Sequence, residues 1–166
     1  MAHQFSSMIS KGIAVAVIVL GIVTTPAFAS KNDFADCRQV FANSTPPVIQ
    51  NQDELKTRAL CFSGFAVMHS GKSHTPVYAA ERLNKDMLQD AHLKRTNKFF
   101  ADARLPRAER AELDDYKDSG YDRGHMAPAA DMTTEEAMAQ CFSLANMIPQ
   151  APINNRALYD LQWIIR

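Results

Sequence analysis

Two apolar runs around a four-residue turn constrain this chain more than any other feature. "ALCFSGFAVMHS" and "TPVYAAERL" flank "GKSH", and aromatic and apolar runs on either side of a glycine-containing turn predict strand, turn, strand over 59–83. The 166 residues fit one domain and leave little room for a second. Upstream, "NSTPPVIQNQDE" is polar with a double proline, so 30–56 reads as an irregular arm tied down by Cys37.

Downstream, the stretch from Asn84 to Gly120 is rich in charge and poor in periodicity, which predicts short helical pieces and a long loop. Loops of that length in a compact domain are usually functional or disordered. In "SGYDRGHMAPAADM", Gly120 and Gly124 loosen the backbone and Pro128 ends regular structure. "TTEEAMAQ" has a helix-start signature, with Thr133 and Glu136 at capping-box spacing. "CFSLANMIPQ" reads as a short apolar strand stopped by Pro149. "APINNRALYDLQWIIR" is helical in pattern, with Asn154 or Asn155 near its start and Leu158, Leu161, Trp163 and Ile165 as apolar positions. The coarse reading is one α+β domain.

The first 29 residues have a separate character. Lys11 precedes the apolar run "GIAVAVIVLGIV", and small residues at Ala27 and Ala29 follow, the layout of a secretory signal. The run is shorter than the roughly 20 residues of a helical span. The expectation is therefore cleavage after Ala29, a periplasmic or secreted domain over 30–166, and no stable membrane association after cleavage. Lys11 is the only charge removed, so the remainder stays near neutral. A protein that wraps long nucleic acid stably shows a basic excess, so any nucleic-acid contact here is local and transient. In an oxidising compartment cysteines pair. Cys37 and Cys61, both in the N-terminal half, are the preferred disulfide, worth roughly 3 kcal/mol by loop closure. Cys141 lies in an apolar setting and is expected as a free core thiol.

"DRGH" alone is weak evidence of chemistry, because a Gly-His loop with flanking charges is most often a solvated turn. Its surroundings are more specific. In order the chain offers "KRTNKFF", "YDRGHMAPAADM" and "FSLANMIPQAPINNR". This order and spacing resemble the DNA/RNA non-specific endonuclease family, nearly continuously from Tyr121 to Arg156 and more loosely through the hairpin. The resemblance implies an α+β, ββα-metal endonuclease fold with a central antiparallel-rich sheet and flanking helices. It also implies DNA and RNA as substrates, and a magnesium ion (manganese or another divalent cation being alternatives) as cofactor. Residue by residue, it makes His125 the catalytic histidine, Asn155 the metal ligand and Arg95 an arginine facing the scissile phosphate. Asp122, Arg123 and Gly124 complete the signature, and Asn146 and Gln150 support the site.

The residue types suit that chemistry in their own right. A neutral imidazole takes a proton from water near neutral pH. Magnesium bound through a side-chain oxygen and waters polarises phosphate and leaving oxygen. Arginine's planar fork matches phosphate oxygens. Phosphate contacts carry no sequence information, so low sequence specificity follows. Each residue also has a plain structural alternative. Asn155 could cap the helix that begins there, Arg95 could belong to a solvated face, and Arg123 could pair with Asp122 or another carboxylate. His69, His74 and His92 lie in no motif and are expected at the surface, and no Cys or His pair has zinc-ligand spacing.

The resemblance breaks in two places. The family's glutamate two turns beyond the metal asparagine falls on Trp163, with Asp160 the nearest acid, and the family continues past the point where this chain stops at Arg166. The expectation is thus a domain with its C-terminal part missing. Two further readings compete with an exported nuclease: a non-catalytic remnant that binds nucleic acid weakly, and a secreted interaction protein that would leave DRGH and NNR unexplained.

Overall fold

The structure, a computed structural model, describes residues 34–89 and 93–156. Three strands, β1 (Thr57–Cys61), β2 (Phe65–Ser70) and β3 (Thr75–Glu81), form an antiparallel sheet in sequence order. The first apolar run is therefore two strands, not one. "FSG" is a tight reversal, closed by the Phe62 amide donating to the Phe65 carbonyl at 2.9 Å, and Cys61 then faces Ala66 across the ladder.

β2 is central, and all six of its residues are buried. Strand alternation sends its side chains to two cores. Phe65 and Val67 meet Leu60, Leu105, Met132 and Phe142 on one side. Ala66 and Met68 meet Phe34, Val40 and Phe41 of the N-terminal arm on the other. The Cys37–Cys61 disulfide fastens that arm to β1, as expected, and Cys141 is free and buried. His69 continues the strand inward with no exposed surface, its Nε2 2.7 Å from the Glu109 carbonyl. The surface placement expected for His69 is corrected: a central strand covered on both faces buries its polar residues too. His74 is partly exposed in the turn, and His92 lies outside the described residues.

Beyond the short helix α1 (Gln52–Leu55) that precedes β1, the segment from 84 to 120 holds short pieces, α2 (Lys85–Gln89) and single 3-10 turns at Arg107–Glu109 and Leu113–Asp115. It is ordered by one buried carboxylate. Asp102 takes Arg104 Nε at 2.9 Å and Nη2 at 2.7 Å, and accepts from Ser143 Oγ at 3.0 Å. Arg104 also donates to the Cys61 carbonyl at 2.7 Å and lies over the Phe62 ring. Burial alone would raise the Asp102 pKa, but the hydrogen bonds and charge of Arg104 outweigh it and hold the carboxyl ionised.

The motif itself is a second sheet. β4 (Asp122–His125) pairs antiparallel with β5 (Met147–Gln150), and a helical turn at 152–156 follows. DRGH is thus a strand, not the loop the glycines suggested. Pro149 does not stop β5 but lies within it, opposite Arg123, as a two-stranded ribbon permits because both strands are edges. Cys141–Asn146 is turn and 3-10 structure instead of strand. The preceding helix α3 (Glu135–Gln140) is capped by Thr134, one residue later than expected, whose Oγ1 accepts from the Ala137 amide at 3.1 Å. Glu136 instead accepts from Gln140 one turn on. Residues 1–33 and 157–166, with the expected signal segment, Trp163 and Asp160, lie outside the described residues.

Candidate active site

β4 approaches β5 so closely that only glycine fits at its third position. A Cβ on Gly124 would stand 2.8 Å from the Gln150 Cβ, so Gln150 folds across the bare backbone. This explains why these two residues occur together. Asn146 anchors the far end of β4. It is wholly buried, accepts from the Ala127 amide at 2.9 Å, and donates to the Ala127 and Cys141 carbonyls at 3.0 Å each. Its own carbonyl takes the Met126 amide. All its side-chain capacity shown here goes to the backbone around the strand end, so it shapes the site from behind.

Two phenylalanines form the wall of the site. Backbone bonds between Phe100 and Phe142, and between Leu144 and Phe100, bring residues 99–101 alongside 142–144. Phe99 and Phe142 meet edge to face at 4.9 Å. Arg123 lies over the Phe99 ring at 4.2 Å and Arg95 over the Phe142 ring at 5.1 Å, within cation–π range. His125 touches both rings, at 5.9 Å from Phe99 and 5.1 Å from Phe142. Positions 123 and 125 share one face of β4, which is why the guanidinium and the imidazole meet the same wall.

Burial lowers the His125 pKa to about 4, with the nearby charge of Arg95 acting in the same direction. Its Nε2 is buried and has no hydrogen-bond partner among the described residues. A buried polar atom left without a partner is costly, so the Nε2 lone pair or proton is open to a water or ligand.

Asp122, at the start of β4, does not pair with Arg123. Arg156 donates to it through Nε and Nη2, each at 2.9 Å, and Asn155 Nδ2 donates at 3.2 Å. The Arg156 and Asn155 hydrogen bonds hold the Asp122 carboxyl below its usual pKa. Asn155 is inside the helical turn, its amide bonded to the Ala151 carbonyl at 3.0 Å, so it is not the N-cap. With its nitrogen end given to Asp122, the amide could hold a cation only through its oxygen end. Among the described residues no three His, Cys, Asp or Glu side chains form a metal cluster. Asn155 oxygen and water would suit a hard, oxygen-seeking ion such as magnesium.

Arg95, Asp122, Arg123 and Asn155 line one pocket of about 430 Å³, together with Phe99, Leu113, Tyr116, Lys117 and Tyr121. His125 packs against Phe99 and is not part of that lining. The last five lining residues were not singled out from the sequence, although Phe99 and Tyr121 fall inside the quoted motif blocks. Phe142 and Arg156 were missed as supports for the same reason: their partners are set by tertiary packing.

A family model for DNA/RNA non-specific endonucleases matches residues 44–163. This chain is a DNA/RNA non-specific endonuclease family member. It is 39% identical over 89 residues to "Nuclease 1, mitochondrial" of Schizosaccharomyces pombe, a match spanning 52% of this chain and 28% of that protein. It is 39% identical over 88 residues to the "Mitochondrial nuclease" of Saccharomyces cerevisiae, spanning 52% of this chain and 27% of that one. The solved EndoG/EndoGI complex, titled for the mechanism of EndoG inhibition, matches with a TM-score of 0.57 and 26% identity over 72% of this chain and 53% of that chain. The matches thus span under a third of the length of these two curated nucleases. The structural likeness to EndoG bears out the α+β, ββα-metal fold, with antiparallel pairing in both sheets. The periplasmic or secreted location is corrected, because the relatives are named as mitochondrial nucleases. An acid-free, apolar N-terminal run does not by itself separate one targeting route from another.

Proposed function

We propose that this chain hydrolyses phosphodiester bonds in DNA and RNA without sequence specificity, with magnesium as its metal. The observation that carries the reading is the convergence of Arg95, Asp122, Arg123 and Asn155 on one pocket, with the neutral His125 imidazole on the same strand. Arg95 and Arg123 donate to the non-bridging phosphate oxygens and offset the charge that builds as the phosphorus becomes five-coordinate. His125 accepts a proton from water through its unpartnered Nε2 as the new P–O bond forms and the bond to O3′ breaks. The proton taken from water stays on the imidazole, and the departing O3′ oxygen is protonated from solvent. Asp122 holds the Asn155 amide in place, and Asn155 presents its oxygen to the metal. A bound magnesium ion supplies positive charge to the phosphate and to the leaving oxygen.

The approaching phosphate also tunes the base. Its negative charge offsets that of Arg95 and favours the protonated imidazole. Burial, the larger cause, is unchanged, so the His125 pKa rises only partway from about 4 when phosphate is bound.

The test is degradation of plasmid DNA and of RNA by the chain with magnesium, with EDTA, and with magnesium restored. Cleavage of both that disappears with EDTA and returns with magnesium is expected. Absence of cleavage above a His125→Ala control rejects the reading.

A further inference from the structure

The pocket holds two kinds of residue, and the chemistry above uses only one. Arg95, Arg123 and Asn155 address phosphate and metal, whereas Tyr121 and Leu113 are large, apolar-bodied and exposed, at 55% and 45%. Both line the pocket beside Lys117. Tyr121 is held by its backbone: its amide bonds Ser119 Oγ at 3.2 Å and its carbonyl accepts from the same hydroxyl at 3.4 Å. Gly120, at φ +81°, sets the turn that delivers it, and β4 begins at the next residue. Among the described residues no side chain stacks on the Tyr121 ring or bonds its hydroxyl. Of the other two aromatic residues in the lining, Phe99 is covered by Arg123 and Tyr116 is partly buried against Ala111, Leu144 and Met147.

We propose that Tyr121, with Leu113 beside it, is a stacking platform for the base of a nucleotide next to the scissile phosphate, so that the site takes single-stranded or locally unstacked nucleic acid. The proposal rests on the reading that this pocket receives nucleic acid. An exposed ring on a held backbone, one residue from Asp122 and two from Arg123, places a flat apolar face beside the phosphate-binding cations. Lys117 on the same pocket adds a positive charge for a neighbouring phosphate. A volume of about 430 Å³ is on the scale of a single nucleotide. Stacking uses the π-face that every base has, so it adds affinity without reading sequence. A base must leave its stack to reach Tyr121, so intact duplex is the poorer substrate.

The test is binding of a labelled single-stranded DNA 12-mer in EDTA, followed by fluorescence anisotropy, so that cleavage plays no part. Tyr121→Ala should bind about tenfold or more weakly, within the range for loss of one base stack, and Tyr121→Trp should bind as the parent does. The parent should also bind a strand of abasic residues as weakly as Tyr121→Ala binds the normal strand. Tyr121→Ala should lose nothing further on the abasic strand. The proposal is overturned if the parent binds normal and abasic strands within twofold of each other, an arm that needs no variant to fold. It is also overturned if well-folded Tyr121→Ala binds the normal strand like the parent. Failure of the parent to bind any strand rejects the platform and the nucleic-acid pocket together. Base-dependent binding without magnesium-dependent cleavage rejects the hydrolase alone.

Discussion

Arg156 grips Asp122 through two nitrogens, and this pair sets the position of Asn155. Both hydrogen bonds are 2.9 Å, and the third bond to the same carboxylate comes from Asn155 Nδ2. The NNR and DRGH blocks, more than thirty residues apart, thereby become one unit. The arginine is exposed, so its ion pair contributes little to stability. Its significance lies in holding the carboxylate that orients the Asn155 amide.

Asp122→Ala should therefore separate activity from stability. The Asn155 amide loses its anchor, and loss of a group that orients a metal ligand commonly costs 10- to 100-fold. Thermal melting should stay close to the parent while magnesium-dependent plasmid nicking falls by that factor. A parent-like nicking rate would show that Asn155 needs no help from Asp122.

Gly124→Ala should destabilise the chain by about 1–3 kcal/mol, the usual cost of forcing extra volume into a packed position. The added methyl meets the Gln150 side chain and its Cβ. Gln150→Gly in the same chain removes the whole clashing side chain and should recover part of the loss. Urea unfolding of the two single variants and the double variant measures the coupling. Additive free energies would refute the close approach of Gly124 and Gln150.

How legible this was depends on the scale of the interaction. Cys37 and Cys61, the free Cys141 and the strand pattern around GKSH were readable because each is local or compositional. DRGH was misread as a loop because glycine and charge are loop signals when taken alone. What makes it a strand is the long-range ladder to Met147–Gln150 and the need for no side chain beneath Gln150. Burial of His69 was invisible for a related reason. Nothing in "VMHSGK" reveals that residues 105–111 will cover that face. Arg95, Asp122, Arg123 and Asn155 fall on one pocket, but the Phe99–Phe142 wall that carries the two arginines and His125 depends on a bridge between 100 and 143.

Glu81 and Asp131 should make stability fall as pH rises. Burial raises the Glu81 carboxyl to about 7, with the charge and hydrogen bond of Asp131 adding to it, and burial also raises Asp131. Glu81 Oε2 is buried with no partner among the described residues. The folded chain keeps this proton between the unfolded value near 4.5 and about 7, so stability is fully present below that window and is lost across it. With allowance for partial exposure, the loss is on the order of 2 kcal/mol. His125 and His69, both lowered by burial, tilt stability the opposite way as pH falls. The quantity to measure is therefore the difference between Glu81→Gln and the parent in urea unfolding from pH 4 to 8. Glu81→Gln should gain on the parent across pH 4.5–7 and stay ahead above it. A difference that does not change with pH would refute the shared proton.

The pH dependence of cleavage should distinguish the free site from the occupied one. In the free chain burial and then Arg95 hold His125 near pKa 4, so the imidazole is neutral well below the usual histidine range. The acid limb of kcat/KM reports the free enzyme and should fall near pH 4, provided the fold persists there by circular dichroism. Bound phosphate cancels part of the Arg95 effect, so the acid limb of kcat should lie at higher pH than that of kcat/KM. Arg95→Gln removes the second cause, and its kcat/KM limb should move upward toward the ordinary histidine value while the rate falls. Burial, the larger cause, remains, so the limb should stop short of that value. Cleavage of a short fluorogenic oligonucleotide from pH 4 to 8, at saturating and at low substrate, provides both limbs. A kcat/KM limb at the ordinary histidine pKa in the parent, unmoved in Arg95→Gln, would place the titrating base somewhere other than His125.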